Sequence, residues 1–141
     1  IPLFATVAWL VWVLALQSGV LSSASDWERF SAARIQAYEK QGKTAFVDYT
    51  AAWCVTCQVN KQLVLRQPDV VKALQSSGMA LLQADWTRRD PEITRALEAL
   101  GRKGVPVYAI YRPGREPELL PEILTRDIVL AAVGTPKESA K

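Results

Sequence analysis

The chain has 141 residues, 50% apolar and 22% charged, with a formal net charge of +3. That length suits one ordinary domain plus an appendage, and the composition gives no sign of disorder. No basic run with interleaved aromatics points to nucleic acid, and the absence of histidine excludes Ser-His-Asp and Cys-His catalysis and removes the commonest zinc ligand.

The appendage comes first. Residues 1–20, IPLFATVAWLVWVLALQSGV, carry no charge and are almost wholly apolar. At a helical rise of ~1.5 Å per residue they would extend roughly 30 Å, the thickness of a bilayer's hydrocarbon core. A transmembrane helix is expected there, continuing from a longer membrane domain upstream, since the sequence starts at Ile1 and not at methionine. A signal peptide cleaved near Ser22-Ser23-Ala24 and a buried soluble helix are the competing readings. The nearby cations Arg29 and Arg34 do not fix its orientation. Residues 21–25 read as a polar linker.

Ser25 with Glu28 fits a capping box, which predicts a helix from Asp26 to about Lys40, ended by Gln41-Gly42-Lys43. TAFVDY (44–49) reads as a buried strand. Both cysteines follow at once, and a helix is expected from Cys54 to about Leu65. Pro68 suits the first turn of another, through Leu74. MALLQAD (79–85) predicts a second strand. Asp90-Pro91 predicts an N-cap and first helical residue, with Gly101 closing that helix. VPVYAIY (105–111) is a third strand, RPGREP (112–117) a turn, and ELL (118–120) a short hairpin partner. Thr125 would cap a last helix through Val133, leaving residues 134–141 as a frayed tail. The alternation implies one α/β domain over residues 26–133, with a mixed central sheet and helices on its faces. Tyr49, Tyr108 and Tyr111 read as core or half-core strand positions, and Trp86 as a packing residue.

Cys54 and Cys57 are the two cysteines of the chain, with Trp53 just before them. Zinc needs four ligands as a rule, so two cysteines and no histidine would require dimerisation or carboxylates. Two inert core thiols are a second alternative. The spacing favours a redox couple. At a strand-to-helix junction, unpaired N–H groups and the positive end of the helix dipole favour a Cys54 thiolate. Such thiols commonly fall from a pKa of about 8.5 to roughly 3.5–7.5. Cys57, one turn later, lies on the same face, so one sulfur can attack a partner disulfide and the other resolve it. Trp53 offers a flat apolar surface beside the nucleophile.

VDYTAAWCVTC resembles the thioredoxin pattern of strand, buried acid, Trp and cysteine pair. Asp48, six residues before Cys54, matches the acid. GVP (104–106) resembles the loop of that fold whose proline is cis and faces the cysteines. More narrowly, TAAWCVTCQVNK, ADWT (84–87), GRKGVPVY (101–108) and LLPEILT (119–125) together are similar to the C-terminal domain of the DsbD/ScsB family of membrane thiol:disulfide interchange proteins. Thr50, Thr56 and Asn60 look more like the ScsB (suppressor of copper sensitivity) branch.

The resemblance implies a thioredoxin-like fold with a mixed central sheet, preceded by one transmembrane helix in the bacterial inner membrane and lying in the periplasm. It implies Cys54 as exposed nucleophile and Cys57 as the buried resolving thiol, the two forming the redox disulfide. It implies that Asp48 exchanges protons with Cys57, its pKa raised by burial; a strand-end carboxylate satisfied by backbone is the plainer alternative. Val105 and Pro106 would form the rim on which a partner's backbone docks, unless Pro106 is an ordinary trans proline. The electron donor would be a membrane-embedded cysteine pair upstream in the same protein. The acceptor would be a periplasmic thioredoxin-like domain or protein, with no metal or organic cofactor. Two positions depart from many relatives: Ala52 and Lys61 stand where acidic residues are usual, and a nearby cation favours thiolate. A stand-alone tethered thioredoxin of the cytochrome c maturation type, a disulfide oxidase or isomerase, and a membrane-anchored binding module with structural cysteines remain as alternatives.

Overall fold

The computed structural model describes residues 7–9 and 27–134. The expected membrane-spanning segment lies outside these apart from residues 7–9, as do the 21–25 linker, Ser25 of the capping box and the tail from 135. Among the described residues no helix is long and apolar enough to cross a membrane.

The elements run β1 (Glu28–Arg29), α1 (Ala32–Lys40), β2 (Ala45–Thr50), α2 (Val55–Asn60), a π-helical turn (Lys61–Leu65), α3 (Pro68–Ser76), β3 (Ala80–Asp85), α4 (Pro91–Ala99), β4 (Val107–Tyr111), β5 (Glu118–Leu119) and α5 (Arg126–Gly134). The strands form one sheet in the order β1-β3-β2-β4-β5. β1, β3 and β2 are parallel, while β4 and β5 run antiparallel to their neighbours. The central strand β2 is buried along its whole length, which matches its apolar, β-branched sequence.

Two cores sandwich the sheet. Val47 and Tyr49 of β2, Leu82 and Ala84 of β3, and Ile93 and Leu97 of α4 share one, with Ile35 and Tyr38 of α1 packed against it. Phe46, Tyr108 and Ile110 share the other with Val64, Leu65, Val70, Leu74 and Val129 from the helical segments. Alternation along β2 supplies both faces from one strand. Burying a side chain the size of Phe46 contributes about 1.5–3 kcal/mol, and truncation to alanine would cost about 3–5 kcal/mol.

One expected element is corrected. The helix predicted from Asp26 begins only at Ala32, and Glu28–Arg29 is an edge strand. Trp27 packs edge-on against Phe46 in one core, whereas Phe30 packs on Tyr49 in the other. Residues three apart share a face in a helix but take opposite faces in a strand, so filling both cores requires the extended form. Phe30 N–H donates to Gln83 O at 2.9 Å. Ser31, not Ser25, caps α1, accepting from Arg34 N–H at 3.1 Å. Glu28 instead accepts from the Tyr38 hydroxyl at 2.6 Å.

The helix expected over 54–65 also changes form after Asn60. The wider π turn delays the helical phase, so consecutive Val64 and Leu65 both enter the core. Elsewhere, Asp90 caps α4 through Glu92 N–H (2.8 Å) and Ile93 N–H (3.3 Å). Thr125 caps α5 through Ile128 N–H at 3.2 Å.

Candidate active site

β2 and β3 run towards one end of the sheet and β4 runs away from it, so the loops after Thr50, after Asp85 and before Val107 share that end. The cysteines lie there. Cys54 is the N-cap of α2, with extended backbone (φ −86°, ψ 104°), and its sulfur accepts from Cys57 N–H at 3.2 Å. An N-cap sulfur that receives a helical N–H is placed to be stabilised as an anion. Cys54 and Cys57 form a disulfide with Cα atoms 5.2 Å apart. Cys54 retains 7% of its surface and Cys57 2%, so Cys54, expected to be exposed, is itself buried in the disulfide form and is only the less covered of the two. It is mostly covered, because Ala51, Cys57 and Val105 pack together with it. The bond from Val105 to Pro106 is cis. Val105 reaches the pair from the loop before β4. Among the described residues no cluster of three or more His, Cys, Asp and Glu is placed to hold a metal.

Trp53 is half exposed beside the pair, and the loop after β3 holds it. Its indole N–H donates to Thr87 O at 3.1 Å, and Ala52 N–H donates to Thr87 Oγ1 at 2.9 Å. Thr87 is fixed in turn on Asp85, whose Oδ1 accepts from both its N–H and its hydroxyl. The Trp53 and Trp86 rings lie 5.9 Å apart and tilted. The Arg89 guanidinium sits 5.7 Å from one ring centre and 5.3 Å from the other, a cation–π arrangement. Arg89 adopts φ 52°, uncommon outside glycine. Trp86 is a core residue, as read from sequence, and also backs the site tryptophan. Thr87 and Arg89 were not singled out from sequence; ADWT held the only signal for the first, and nothing pointed to the second.

Asp48 lies in the middle of β2, buried, opposite Tyr108 on β4 and Gln83 on β3. Its Oδ1 has no hydrogen-bond partner, so the reading in which backbone satisfies it does not hold for that oxygen. Burial raises its pKa from 3.8 to about 7, and the charge of Lys61 opposes the shift. Burial, and then the nearby Asp48 charge, push the Tyr108 phenol up, while its bond with Asn60 works the other way. Asn60, also buried, ties three elements together. Its Nδ2 donates to Tyr108 Oη (2.9 Å) and Glu122 O (2.7 Å), and its Oδ1 accepts from Leu124 N–H (3.2 Å). On the opposite core the Tyr49 and Tyr111 hydroxyls bond each other at 2.6 Å.

A family model described as thioredoxin-like matches residues 26–113. The thiol:disulfide interchange protein DsbD of Vibrio cholerae is 35% identical over 77 residues, covering 55% of this chain and 12% of that protein. DsbD 1 of Pseudomonas aeruginosa is 26% identical over 107 residues, covering 72% and 18%. The chain therefore spans less than a fifth of these curated relatives. Among solved structures, the DsbD C-terminal domain of Neisseria meningitidis in its reduced form superposes with a TM-score of 0.60 at 25% identity, covering 73% of this chain and 90% of that one. A thioredoxin from Thermus thermophilus superposes equally well, TM-score 0.60 at 16% identity, which speaks to fold alone.

Proposed function

The chain belongs to the thioredoxin-like family, and from that premise we propose that it is the thiol:disulfide reductase domain of a DsbD-like electron relay. The observation that carries this is the Cys54–Cys57 disulfide at the N-cap of α2, with Cys57 N–H on the Cys54 sulfur and Val105 packed on the pair.

In the reduced domain, Cys54 thiolate attacks a partner's disulfide and one partner sulfur leaves as thiolate. Cys57 thiolate then attacks Cys54 Sγ, which restores the internal disulfide and releases the second partner thiolate. Two electrons pass to the partner, and two protons follow to its thiols. The reverse exchange, with a membrane-embedded cysteine pair of the same protein as donor, reloads the domain. Residues 1–20 anchor it, the periplasm houses it, and the acceptor is a thioredoxin-like domain or protein there. An oxidising compartment makes a continuing electron supply necessary. Trp53, Val105 and Pro106 frame the sulfurs as a docking surface for extended backbone. The electrons travel on sulfur throughout.

Equilibration in glutathione buffers tests the direction of flow. A reduction potential near or below about −200 mV is expected, whereas one near about −120 mV would make the domain an oxidant and overturn the reading. Cys54→Ser should abolish turnover; a binding module with structural cysteines would keep its binding.

A further inference from the structure

The three loops at the cysteine end of the sheet carry four cations and one acid. Arg88, Arg89 and Asp90 follow β3, Arg102 and Lys103 precede β4, and residues 51–54 are uncharged. All four cations are exposed. Among the described residues the ion pairs are Arg112–Glu118 and Arg126–Asp69, so none of the four belongs to one.

Two contacts tie these charges to the pair. The Arg89 guanidinium lies over the ring of Trp53, the residue before Cys54, and is held there by a backbone conformation uncommon outside glycine. Lys103 stands two residues before Val105, which packs on Cys54 and Cys57, so their Cα atoms are within about 7 Å. Lys61, at the start of the π turn, adds a further positive charge that acts on both Asp48 and Asp85. The acids nearby are engaged by backbone donors. Asp85 accepts from Thr87 N–H, Asp90 from Glu92 N–H, and Glu92 from Ala32 N–H. Five positive charges therefore stand against three negative ones.

We propose that these cations form a collar around the cysteine pair that selects a partner whose disulfide is flanked by carboxylates. This rests on the dithiol–disulfide reading above and names the chemistry of its partner. Exchange requires sulfur to meet sulfur, so every partner disulfide must pass the collar. That placement favours an acidic disulfide protein over a lipid surface. Opposite charge speeds the encounter and like charge slows it, both in proportion to how little salt screens them.

The test uses the full chain, reduced, in a non-ionic detergent. Its oxidants are three aliphatic disulfides: dianionic 3,3′-dithiodipropionate, neutral 2-hydroxyethyl disulfide and dicationic cystamine. Cys54 thiolate attacks one sulfur and expels a thiolate; Cys57 then resolves the mixed disulfide. The chain loses two electrons and two protons, and each small disulfide becomes two thiols. Acid quenching, alkylation and mass spectrometry follow the thiols. Dividing each rate by that of 2-mercaptoethanol with the same disulfide removes intrinsic reactivity. The dianion should then outpace the dication about tenfold at about 0.01 M salt. At about 1 M salt, where screening acts within about 3 Å, the preference should fall below about threefold. Arg102→Glu with Lys103→Glu should bring the low-salt ratio to about one or below, and the paired glutamine variant should fall between. A shift in thiolate fraction affects both disulfides alike and cancels in the ratio. Lys40→Glu with Lys72→Glu makes the same change of net charge on exposed helix positions, Lys40 at the far end of the sheet, and should keep the preference. Equal rates for dianion and dication, a preference that survives high salt, or an equal loss in the Lys40/Lys72 variant would overturn the proposal. Should the glutamate variant not fold, the glutamine variant alone must lower the ratio. If none of the three disulfides oxidises the reduced chain, or Cys54→Ser reacts as wild type does, the dithiol reading itself fails.

Discussion

Replacing Asp48 by alanine should stabilise the disulfide form at alkaline pH and leave it nearly unchanged in acid. The carboxyl titrates near 3.8 when unfolded and at about 7 when folded, because burial penalises its charge. Between those values the folded chain binds the extra proton. Stability therefore falls as pH rises through that window and levels off above it. A shift of roughly 3 units at 1.36 kcal/mol each amounts to about 4 kcal/mol lost by pH 8. Truncation to alanine returns this and forfeits about 1 kcal/mol of packing. The variant should thus gain about 2–4 kcal/mol at pH 8 and lose about 0–1 kcal/mol at pH 4. Urea denaturation of the oxidised protein at the two pH values measures both, with no thiol titrating. Equal differences at pH 4 and pH 8, within about 0.5 kcal/mol, would refute the assignment of a desolvated carboxyl to this position.

Cys57→Ala should leave Cys54 locked to its partner in a mixed disulfide, visible by non-reducing electrophoresis and lost when Cys54 is also replaced. Asn60→Ala should destabilise by about 3–4 kcal/mol in urea melts, since it breaks bonds to Tyr108, Glu122 and Leu124 and leaves their groups poorly satisfied; a loss under about 1 kcal/mol would show that the network is weak. Arg89→Gln should cost about 1 kcal/mol and raise the acrylamide quenching of Trp53 fluorescence, because the guanidinium is shared by Trp53 and Trp86. Unchanged quenching would mean that Thr87 alone holds the indole.

The α/β organisation was readable because local signals and tertiary needs agreed: TAFVDY, MALLQAD and VPVYAIY became the three main strands, and Asp90-Pro91 started a helix as its chemistry requires. The signals failed where they conflicted. Ser25 and Glu28 spell a capping box, but Trp27 and Phe30 had to serve opposite cores, and burial outweighs a cap contributing about 1 kcal/mol. The π turn was equally invisible, since its cause is the packing of Val64 and Leu65 and not any local breaker.

The site shows the same division between chemistry written locally and chemistry assembled by topology. Cys54, Cys57, Trp53 and Asp48 lie within one short stretch whose spacing announces a redox pair. The residues that hold that stretch come from elsewhere, Thr87 meeting Trp53 across 34 positions and Asn60 meeting Tyr108 across 48. A parallel β3 and an antiparallel β4 flanking β2 bring the end of one and the start of the other beside its cysteine end. Such a frame gathers three loops around the cysteine pair, while Asp48 stays buried within β2. Asp48 and Trp53 can therefore be altered separately, one in the buried strand and the other on a half-exposed loop. Asp48, on the strand, and Arg89, on the loop, are the positions where that separation is open to experiment.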